Sequence, residues 1–320
     1  MREFHLPAMP DYQADQVSGA YQAPSISVSV VICTRLRPIA LRECLLALSV
    51  MKRQPDELIV VDNSGGDPET ERLAREFCAN YLTEPITGLS RARNRGLAAS
   101  KGQIVAYLDD DALPDENWLN YLIEPFSDPR VAVVTGAVIA PESMNHYPQL
   151  SQPSLLDKSD SHWFEIAAFG GLGIGTNMAF RKSACEVRDF FDERMGRGAP
   201  FHGFEEHYAF VQLLSRDNCA VYLPTAIVHH SSKYQIDWKR EASTSFAFSM
   251  VLFSEFQDNR ADLLRFLFRR LRRKLLTWLR ASPDRGMIVS SSWWVLLKAG
   301  LSGALLYFRT RTKRKRIGWV

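Results

Sequence analysis

The chain has 320 residues, 46% of them hydrophobic, so it is long enough to bury the core of one large domain with appendages. Its five cysteines stand singly, which argues against a zinc knuckle or a disulfide framework and indicates free thiols in a reducing compartment. The first 25 residues contain no apolar signal-peptide core, and we expect a cytoplasmic protein.

The formal net charge of +3 hides an uneven distribution along the chain. Residues 260–320 contain 16 Lys and Arg residues and two acids, whereas residues 1–259 contain 23 basic and 34 acidic residues. An acidic body of net charge −11 therefore carries a basic tail of net charge +14. Such a tail attracts phosphate groups, on lipid headgroups or on nucleic acid.

Apolar strands alternate with helices in the first half of the chain. Uninterrupted apolar runs predict buried strands at SISVSVVICT, DELIVVD and QIVAYLDDD. Helices are predicted between them at PIALRECLLALSVM, PETERLAREFCANYL and GLSRARNRGLAASKG. Further strands are predicted at RVAVVTGAVIAP and AVYLPTAIVHHSS, with a helix at FEEHYAFVQLLSR. This alternation favours an α/β fold with a mostly parallel sheet.

Polar side chains follow three of these strands at the point where each strand ends. Thr34 and Arg35 follow the first, Asp62 the second, and Asp109 to Asp111 the third. Because ligands of such sheets collect beyond the carboxyl ends of the strands, the pattern predicts a ligand site at this edge. Ordinary loop polarity explains one such cluster well but all three together poorly.

Three consecutive carboxylates, Asp109, Asp110 and Asp111, close the third strand. Side chains alternate along a strand, so the first and third are predicted to point the same way. Carboxylate oxygens suit Mg²⁺ or Mn²⁺, which take further ligands from substrate phosphates. A helix N-cap is the alternative, but one aspartate is enough for a cap. We therefore favour a metal that bridges to a diphosphate.

Two later pairs carry chemistry of the same kind. His229–His230 ends a strand and can supply a nitrogen ligand, and Glu205–Glu206 begins a helix and can supply a general base. Taken alone, each pair is explained as well by an ordinary surface position or by the preference of acids for helix N-termini. GGLGIG lacks the GxGxxG spacing of a dinucleotide loop, and neither a Walker A loop nor a GxSxG elbow occurs in the sequence.

Eight motifs occur in a specific order: VSVVICTRLRP, LIVVDNS, GLSRARNRGL, VAYLDDDALPDENWL, GTNMAFRKSA, FDERMGRG, GFEEHYAF and AIVHH. Over about residues 26–235 they make the chain resemble inverting family 2 glycosyltransferases with the GT-A fold, in which helices cover both faces of a mostly parallel sheet. The resemblance implies a metal-dependent enzyme of the hexosyl- or rhamnosyltransferase type. Such an enzyme moves a sugar from a nucleoside-diphosphate sugar to an acceptor hydroxyl with inversion, for cell-surface polysaccharide or glycolipid synthesis.

The resemblance also implies domains and residue roles. It supports a catalytic domain at 25–240, and from the flanking sequence we expect an extension at 1–24 and a helical basic region at 241–320. It makes Glu206 the catalytic base, and Asp111 and His230 the ligands of Mg²⁺ or Mn²⁺. The residues it implies for substrate binding are Thr34, Arg35, Asp62, Arg93, Asn94, Asp109, Asp110, Asn177 and Glu205. Where the family usually has Glu-Asp this chain has Glu-Glu, one methylene longer at the base position, and an additional histidine precedes His230.

The C-terminal region contains two apolar stretches. LLRFLFRRLRRKLLTWL (263–279) sets Arg and Lys beside a helical apolar stripe, which is typical of a helix in a membrane interface. SSWWVLLKAGLSGALLYF (291–308) barely reaches the length of a span and contains Lys298, which favours in-plane or hairpin association. RTRTKRKR adds charge for an anionic membrane surface. We expect a peripheral protein on the inner face of the cell membrane, with a glycan or lipid-linked acceptor; packing on the catalytic domain is the alternative.

Two other functions fit parts of the sequence. A nucleotidyltransferase shares an α/β sheet and a metal but should carry a glycine-rich basic loop after the first strand, where CTRLRPIAL has no glycine. A non-catalytic nucleic-acid- or membrane-binding protein fits the basic tail. A nucleic-acid-binding tail interleaves basic residues with exposed aromatics, whereas these apolar residues form a continuous stripe. We therefore expect a sugar nucleotide and no nucleic acid as partner.

Overall fold

The computed structural model describes residues 26–140, 152–230, 237–279 and 286–311. The predicted extension at 1–24 and most of RTRTKRKR lie outside these residues. Within the described ranges the chain divides into two compact units, Met1–Glu193 with Glu205–Tyr234, and Arg194–Phe204 with Gln235–Val320. The domain boundaries at residues 25 and 240 stay predictions.

The described part of the first unit contains one nine-stranded sheet, β1 to β9, flanked by helices. Its strands β1 and β4 are buried along nearly their whole length, as their uninterrupted apolar sequences predict. The strands are Val28–Thr34, Glu57–Asp62, Asn80–Thr83, Ile104–Asp109, Ala112–Pro114, Val131–Ile139, Ser154–Leu156, Asn177–Arg181 and Cys219–His230.

Six helices, α1 to α6, belong to the described part of the first unit. They are Pro38–Ser49, Pro68–Glu76, Leu89–Ala99, Trp118–Ile123, Trp163–Phe169 and Glu205–Leu214. A proline begins each of the first two, and Asp67 caps α2 by accepting a hydrogen bond from Thr70 N. The helix predicted through PETERLAREFCANYL is too long: α2 ends at Glu76, Cys78 takes a left-handed φ of 55°, and the following residues form β3.

The sheet has the order β3-β2-β1-β4-β8-β6-β9-β5, and β7 also pairs with β9. The first four strands in this order are parallel to their neighbours, but β8 enters antiparallel between β4 and β6. The prediction of a mostly parallel sheet therefore describes only one half, and the whole sheet is mixed. The parallel half places the carboxyl ends of β1, β2 and β4 at one edge, where a ligand site was predicted.

Among the residues described in the second unit there are three long helices, α7 (Trp238–Glu255), α8 (Arg260–Leu279) and α9 (Gly286–Arg311). A Cβ atom at Gly303 of α9 would lie 2.5 Å from the carbonyl oxygen of Ser243, so the close approach of α9 to α7 requires glycine there. The rings of Phe204 and Phe248 stack with centroids 4.6 Å apart, which joins segment 194–204 to α7. Of the helices in the described ranges, none combines the length and apolar character needed to cross a lipid bilayer.

Candidate functional site

The register of the parallel strands brings the predicted polar residues together. Thr34 lies opposite Asp62 in the pairing of β1 with β2, and Cys33 lies opposite Asp109 in the pairing of β1 with β4. At the far end of the sheet, β5 pairs antiparallel with β9 so that Ala112 faces His230. This pairing carries the late histidine back to the aspartates that precede β5.

Asp109, Asp111 and His230 form a cluster whose potential ligand atoms all lie within 4.8 Å of one another; we call it the Asp–Asp–His cluster. His230 Nε2 lies 3.1 Å from Asp111 Oδ1, and both side chains are buried. His229 is half-exposed and instead contacts Asp115 at 2.9 Å, because neighbouring side chains on a strand point to opposite faces. The structure thus brings His230, and not His229, to the aspartates.

The donor atoms of this cluster fit a divalent cation. Burial raises the pKa of Asp111, but His230 and Arg37 outweigh it and hold that pKa well below its usual range, so the carboxylate stays ionised. Asp111 Oδ1 is buried and receives no hydrogen bond of good geometry from the described residues. Two carboxylates and one imidazole suit Mn²⁺ or Mg²⁺, which complete their coordination with substrate or water oxygens.

Arg37 is a site residue that sequence reasoning missed. Its Nη1 donates to Asp110 Oδ1 at 2.8 Å and its Nη2 donates to Asp111 Oδ2 at 2.6 Å. Thr34 Oγ1 donates to the second oxygen of Asp110 at 2.7 Å. Asp110 is therefore turned away from the Asp–Asp–His cluster, and burial raises its pKa to about 6 against the opposing effects of Thr34 and Arg37. Arg35, which was predicted to bind substrate, is exposed.

Arg93 connects the Asp–Asp–His cluster to the acidic pair at the start of α6. Its guanidinium is 3% exposed; Nη1 donates to Glu205 Oε1 at 2.9 Å and Nη2 lies 3.6 Å from Asp109 Oδ1. Nη2 also donates to the carbonyl oxygen of Gly175 at 3.1 Å. A buried cation with two carboxylate partners and a carbonyl holds both acids in fixed positions.

Glu205 and Glu206 are adjacent acids with different surroundings; Glu205 is buried, whereas the Glu206 side chain is 14% exposed. Burial and the charge of Glu206 raise the pKa of Glu205, with Arg93 opposing them. Burial also raises the pKa of Glu206, but His207 and Arg93 outweigh it and leave that pKa below its ordinary value. Each acid keeps one buried oxygen, Oε2, without a hydrogen bond from the described residues. Glu206 is therefore ionised at neutral pH, and His207 Nδ1 lies 3.7 Å from its Oε2.

Asp62 organises the loop after β2. It is buried, and its carboxylate accepts hydrogen bonds from Ser64 N, Ser64 Oγ, Asp67 N and Tyr81 OH at 2.6–2.8 Å. Burial raises its pKa, but these donors outweigh it and lower the pKa overall. In this conformation Asp62 shapes the loop, and its contact with a nucleotide stays a prediction.

Two predicted substrate-binding residues have structural partners instead. Asn177 is 0% exposed; its Oδ1 accepts from Trp118 Nε1, and its Nδ2 donates to the carbonyl oxygens of Ala137 and Ala226. These bonds join α4 to β6 and β9 and occupy the polar atoms of the side chain. The motif resemblance selected the residue without information on its burial.

Asn94 is similarly occupied. Its Nδ2 donates to the carbonyl oxygen of Phe191 at 2.8 Å and its Oδ1 accepts from Phe191 N at 2.9 Å, so it closes a backbone loop. A second residue missing from the sequence-based site is Thr176, whose hydroxyl donates to Asp109 Oδ2 at 2.8 Å. The sequence signal for Thr176 was its position directly before β8, the strand that pairs with β4. Because β8 was not predicted from the sequence, the residue was not found.

Comparisons with known proteins show which proteins this chain is similar to. A glucosyl-dolichyl phosphate glucuronosyltransferase of Haloferax volcanii is 23% identical over 55% of this chain and 59% of its own length. A pre-mycofactocin glycosyltransferase of Mycobacterium tuberculosis is 28% identical over 66% of this chain and 44% of its own length. The chain thus spans about half the length of these curated relatives.

A solved structure shares the fold. The mannosyltransferase PcManGT from Pyrobaculum calidifontis, solved with GDP-Man and Mn²⁺, has a TM-score of 0.57 and 15% identity, covering 88% of this chain and 87% of its own. The likeness shows that this chain has the GT-A fold. The family model described as "Glycosyl transferase family 2" matches residues 29–188, half of the chain. The chain therefore belongs to glycosyl transferase family 2.

Proposed function

We propose that this protein transfers a sugar from a nucleoside-diphosphate sugar to an acceptor hydroxyl with inversion at the anomeric carbon. The observation that carries the proposal is the Asp–Asp–His cluster, joined through Arg93 to the buried acid Glu205, which precedes Glu206 at the start of α6. Relatives named for glycosyl transfer, and a similar fold solved with a sugar nucleotide and Mn²⁺, support it.

Asp111 and His230 would hold Mg²⁺ or Mn²⁺, with Asp109 close enough to join them. A divalent cation there supplies charge stabilisation to a departing diphosphate. Thr176 fixes one oxygen of Asp109, and Arg37 fixes one oxygen of Asp111, so each carboxylate has a defined orientation. This preorganisation lowers the cost of assembling the site when a ligand arrives.

Glu206 would accept the proton of the acceptor hydroxyl as that hydroxyl attacks the anomeric carbon. Its lowered pKa keeps it ionised, and its buried Oε2 receives no hydrogen bond from the part of the chain described. Arg93 holds Glu205 in place and thereby keeps the start of α6 at the site. A direct attack on the face opposite the leaving group inverts the anomeric configuration.

The finer assignments are proposals of the same kind. The candidates for donor binding stay Thr34, Arg35, Asp62, Asp109, Asp110 and Glu205. The sugar that we propose to be transferred is a hexosyl or rhamnosyl group. The acceptor is proposed to be a glycan or a lipid-linked sugar of the cell envelope; the name of the Haloferax relative contains a dolichyl phosphate sugar, which supports the second. A peripheral location on the inner face of the cell membrane would bring the enzyme to such an acceptor.

A screen of sugar nucleotides tests the proposal. The full chain is incubated with each donor and Mn²⁺ or Mg²⁺, and release of nucleoside diphosphate is measured with and without acceptor glycans. We expect release with at least one donor, dependent on the cation and lost in Asp111→Asn. His229→Ala is the matched control, because that histidine lies outside the cluster. Cation-independent release at wild-type rates in Asp111→Asn would remove Asp111 from the mechanism.

A further inference from the structure

Helix α9 has a buried face and, opposite to it, an exposed face with apolar side chains. Gly303, Tyr307 and Thr310 form the face that is buried within the second unit. Leu301, Leu305 and Phe308 are 68%, 57% and 56% exposed. At 3.6 residues per turn, these three lie roughly half a turn away from the buried face. The helix therefore presents a continuous apolar stripe to its surroundings.

Helix α8 repeats this arrangement. Leu263 and Phe266 are buried, whereas Leu264, Phe268 and Leu271 are 54%, 66% and 52% exposed at the same i, i+4, i+7 spacing. The three exposed residues belong to the stripe that the sequence predicts for this helix, whereas Leu263 and Phe266 form a separate packed face. We call the two exposed sets, one on each helix, the apolar stripes.

Basic side chains accompany the apolar stripes. Arg272, Lys298, Arg309 and Arg311 are all exposed on these two helices. The helices contain only one acid, Asp262, and it is in contact with Arg265. Exposed apolar stripes beside basic side chains match a surface that is apolar inside and anionic outside. A neutral protein partner would give no reason for the bias in charge.

We propose that the apolar stripes of α8 and α9 dock on an anionic lipid surface, with each helix lying in the plane of the interface. The leucine and phenylalanine side chains enter the acyl boundary, and the neighbouring arginines and Lys298 contact lipid phosphates. No helix in the described ranges is suited to crossing the bilayer, which agrees with attachment from one side. The inference stands apart from the transfer reaction, because it concerns only the second unit.

Vesicle flotation of the full chain without sugar nucleotide tests the docking surface. Neutral phosphatidylcholine vesicles are compared with vesicles that contain about 30% phosphatidylglycerol. Three variants are compared with the wild type: Leu301→Gln/Leu305→Gln, Arg272→Gln/Arg309→Gln, and the control Val50→Gln. The control removes a 75% exposed apolar side chain from the end of α1 in the first unit.

We expect the wild type and Val50→Gln to float with anionic vesicles and poorly with neutral ones. The arginine variant should partition about fivefold more weakly for each charge removed, and the leucine variant at least about tenfold more weakly. All substitutions fall on exposed positions, so folding is retained and is checked by circular dichroism.

Three outcomes would overturn the proposal. The first is that the wild type does not float with anionic vesicles, and the second is that both double variants float like the wild type. The third is that the wild type binds no vesicle and self-associates in light scattering, whereas the leucine variant is monomeric. The last outcome would make the stripes an interface between copies of this chain. Loss of transfer activity with intact flotation would instead affect only the proposed function.

Discussion

Replacing Arg93 with methionine removes the one cation that the described structure places between the two acidic groups of the site. The guanidinium is 3% exposed, 2.9 Å from Glu205 and 3.6 Å from Asp109. Methionine keeps the apolar stem and leaves the buried Glu205 and the partly buried Asp109 without the charge. Breaking a buried pair by removing one partner costs about 3–5 kcal/mol of unfolding free energy, and we expect a loss in this range.

The loss should depend on pH. Burial and the charge of Glu206 already raise the pKa of Glu205, and Arg93 opposes them, so removing Arg93 raises it further. In the folded variant, Glu205 then holds a proton at pH values at which the same carboxyl in the unfolded chain, with an ordinary pKa of 4.5, has released it. Because the folded state binds more protons, stability falls as pH rises from 4.5 toward the raised pKa. We expect a larger loss at about pH 8 than at about pH 6.

Urea unfolding at both pH values measures this effect, since urea, unlike guanidinium chloride, adds no screening ions. Arg42→Met is the matched control; its pair with Glu76 at 3.2 Å is exposed and should contribute less than about 1 kcal/mol. Adding Glu205→Gln to Arg93→Met should recover about 2–3 kcal/mol at pH 8. A loss below about 1 kcal/mol for Arg93→Met, or strict additivity of the two substitutions, would refute the reasoning.

Three more predictions follow from the described contacts. His230→Ala should weaken Mn²⁺ binding by more than about tenfold, as measured by electron paramagnetic resonance, whereas His229→Ala should not. Equal Mn²⁺ affinities of the two variants would remove His230 from the ligand set. Arg37→Gln leaves two buried carboxylates without their guanidinium partner and should lower the free energy of unfolding in urea by about 1–3 kcal/mol. Arg35→Gln should change that free energy by no more than about 0.5 kcal/mol, and equal effects of the two substitutions would contradict the pairing. Gly136→Ala places a Cβ well inside van der Waals distance of the Ala226 carbonyl oxygen in β9 and should lower the unfolding free energy by about 1–3 kcal/mol; unchanged stability would contradict that packing.

The position of the ligand site at one edge of the sheet was predictable because each apolar run stops at a polar residue. Asp62 and Asp109 close buried strands in the sequence, and parallel pairing alone brings those ends together. Alternation also predicted that Asp109 and Asp111 share a side, and both belong to the Asp–Asp–His cluster. These inferences need only local patterns and one topological rule.

Other features depend on contacts that a local pattern does not contain. In TRLRP both arginines follow the first strand. Which of them contacts the aspartates depends on Leu36, whose left-handed φ of 53° turns the chain before α1. The result is that Arg37 reaches the aspartates and Arg35 lies exposed. Asn177 matched a motif, but its burial follows from the insertion of β8 between two other strands.

The central claim, that Glu206 is the base of a glycosyl transfer, is tested most directly by Glu206→Gln with the donor found in the screen. The substitution keeps the size of the side chain and removes its ability to accept a proton. We predict that kcat for transfer falls by about 10²- to 10⁴-fold while the donor Kd stays unchanged. Transfer by Glu206→Gln at the wild-type kcat would contradict the claim.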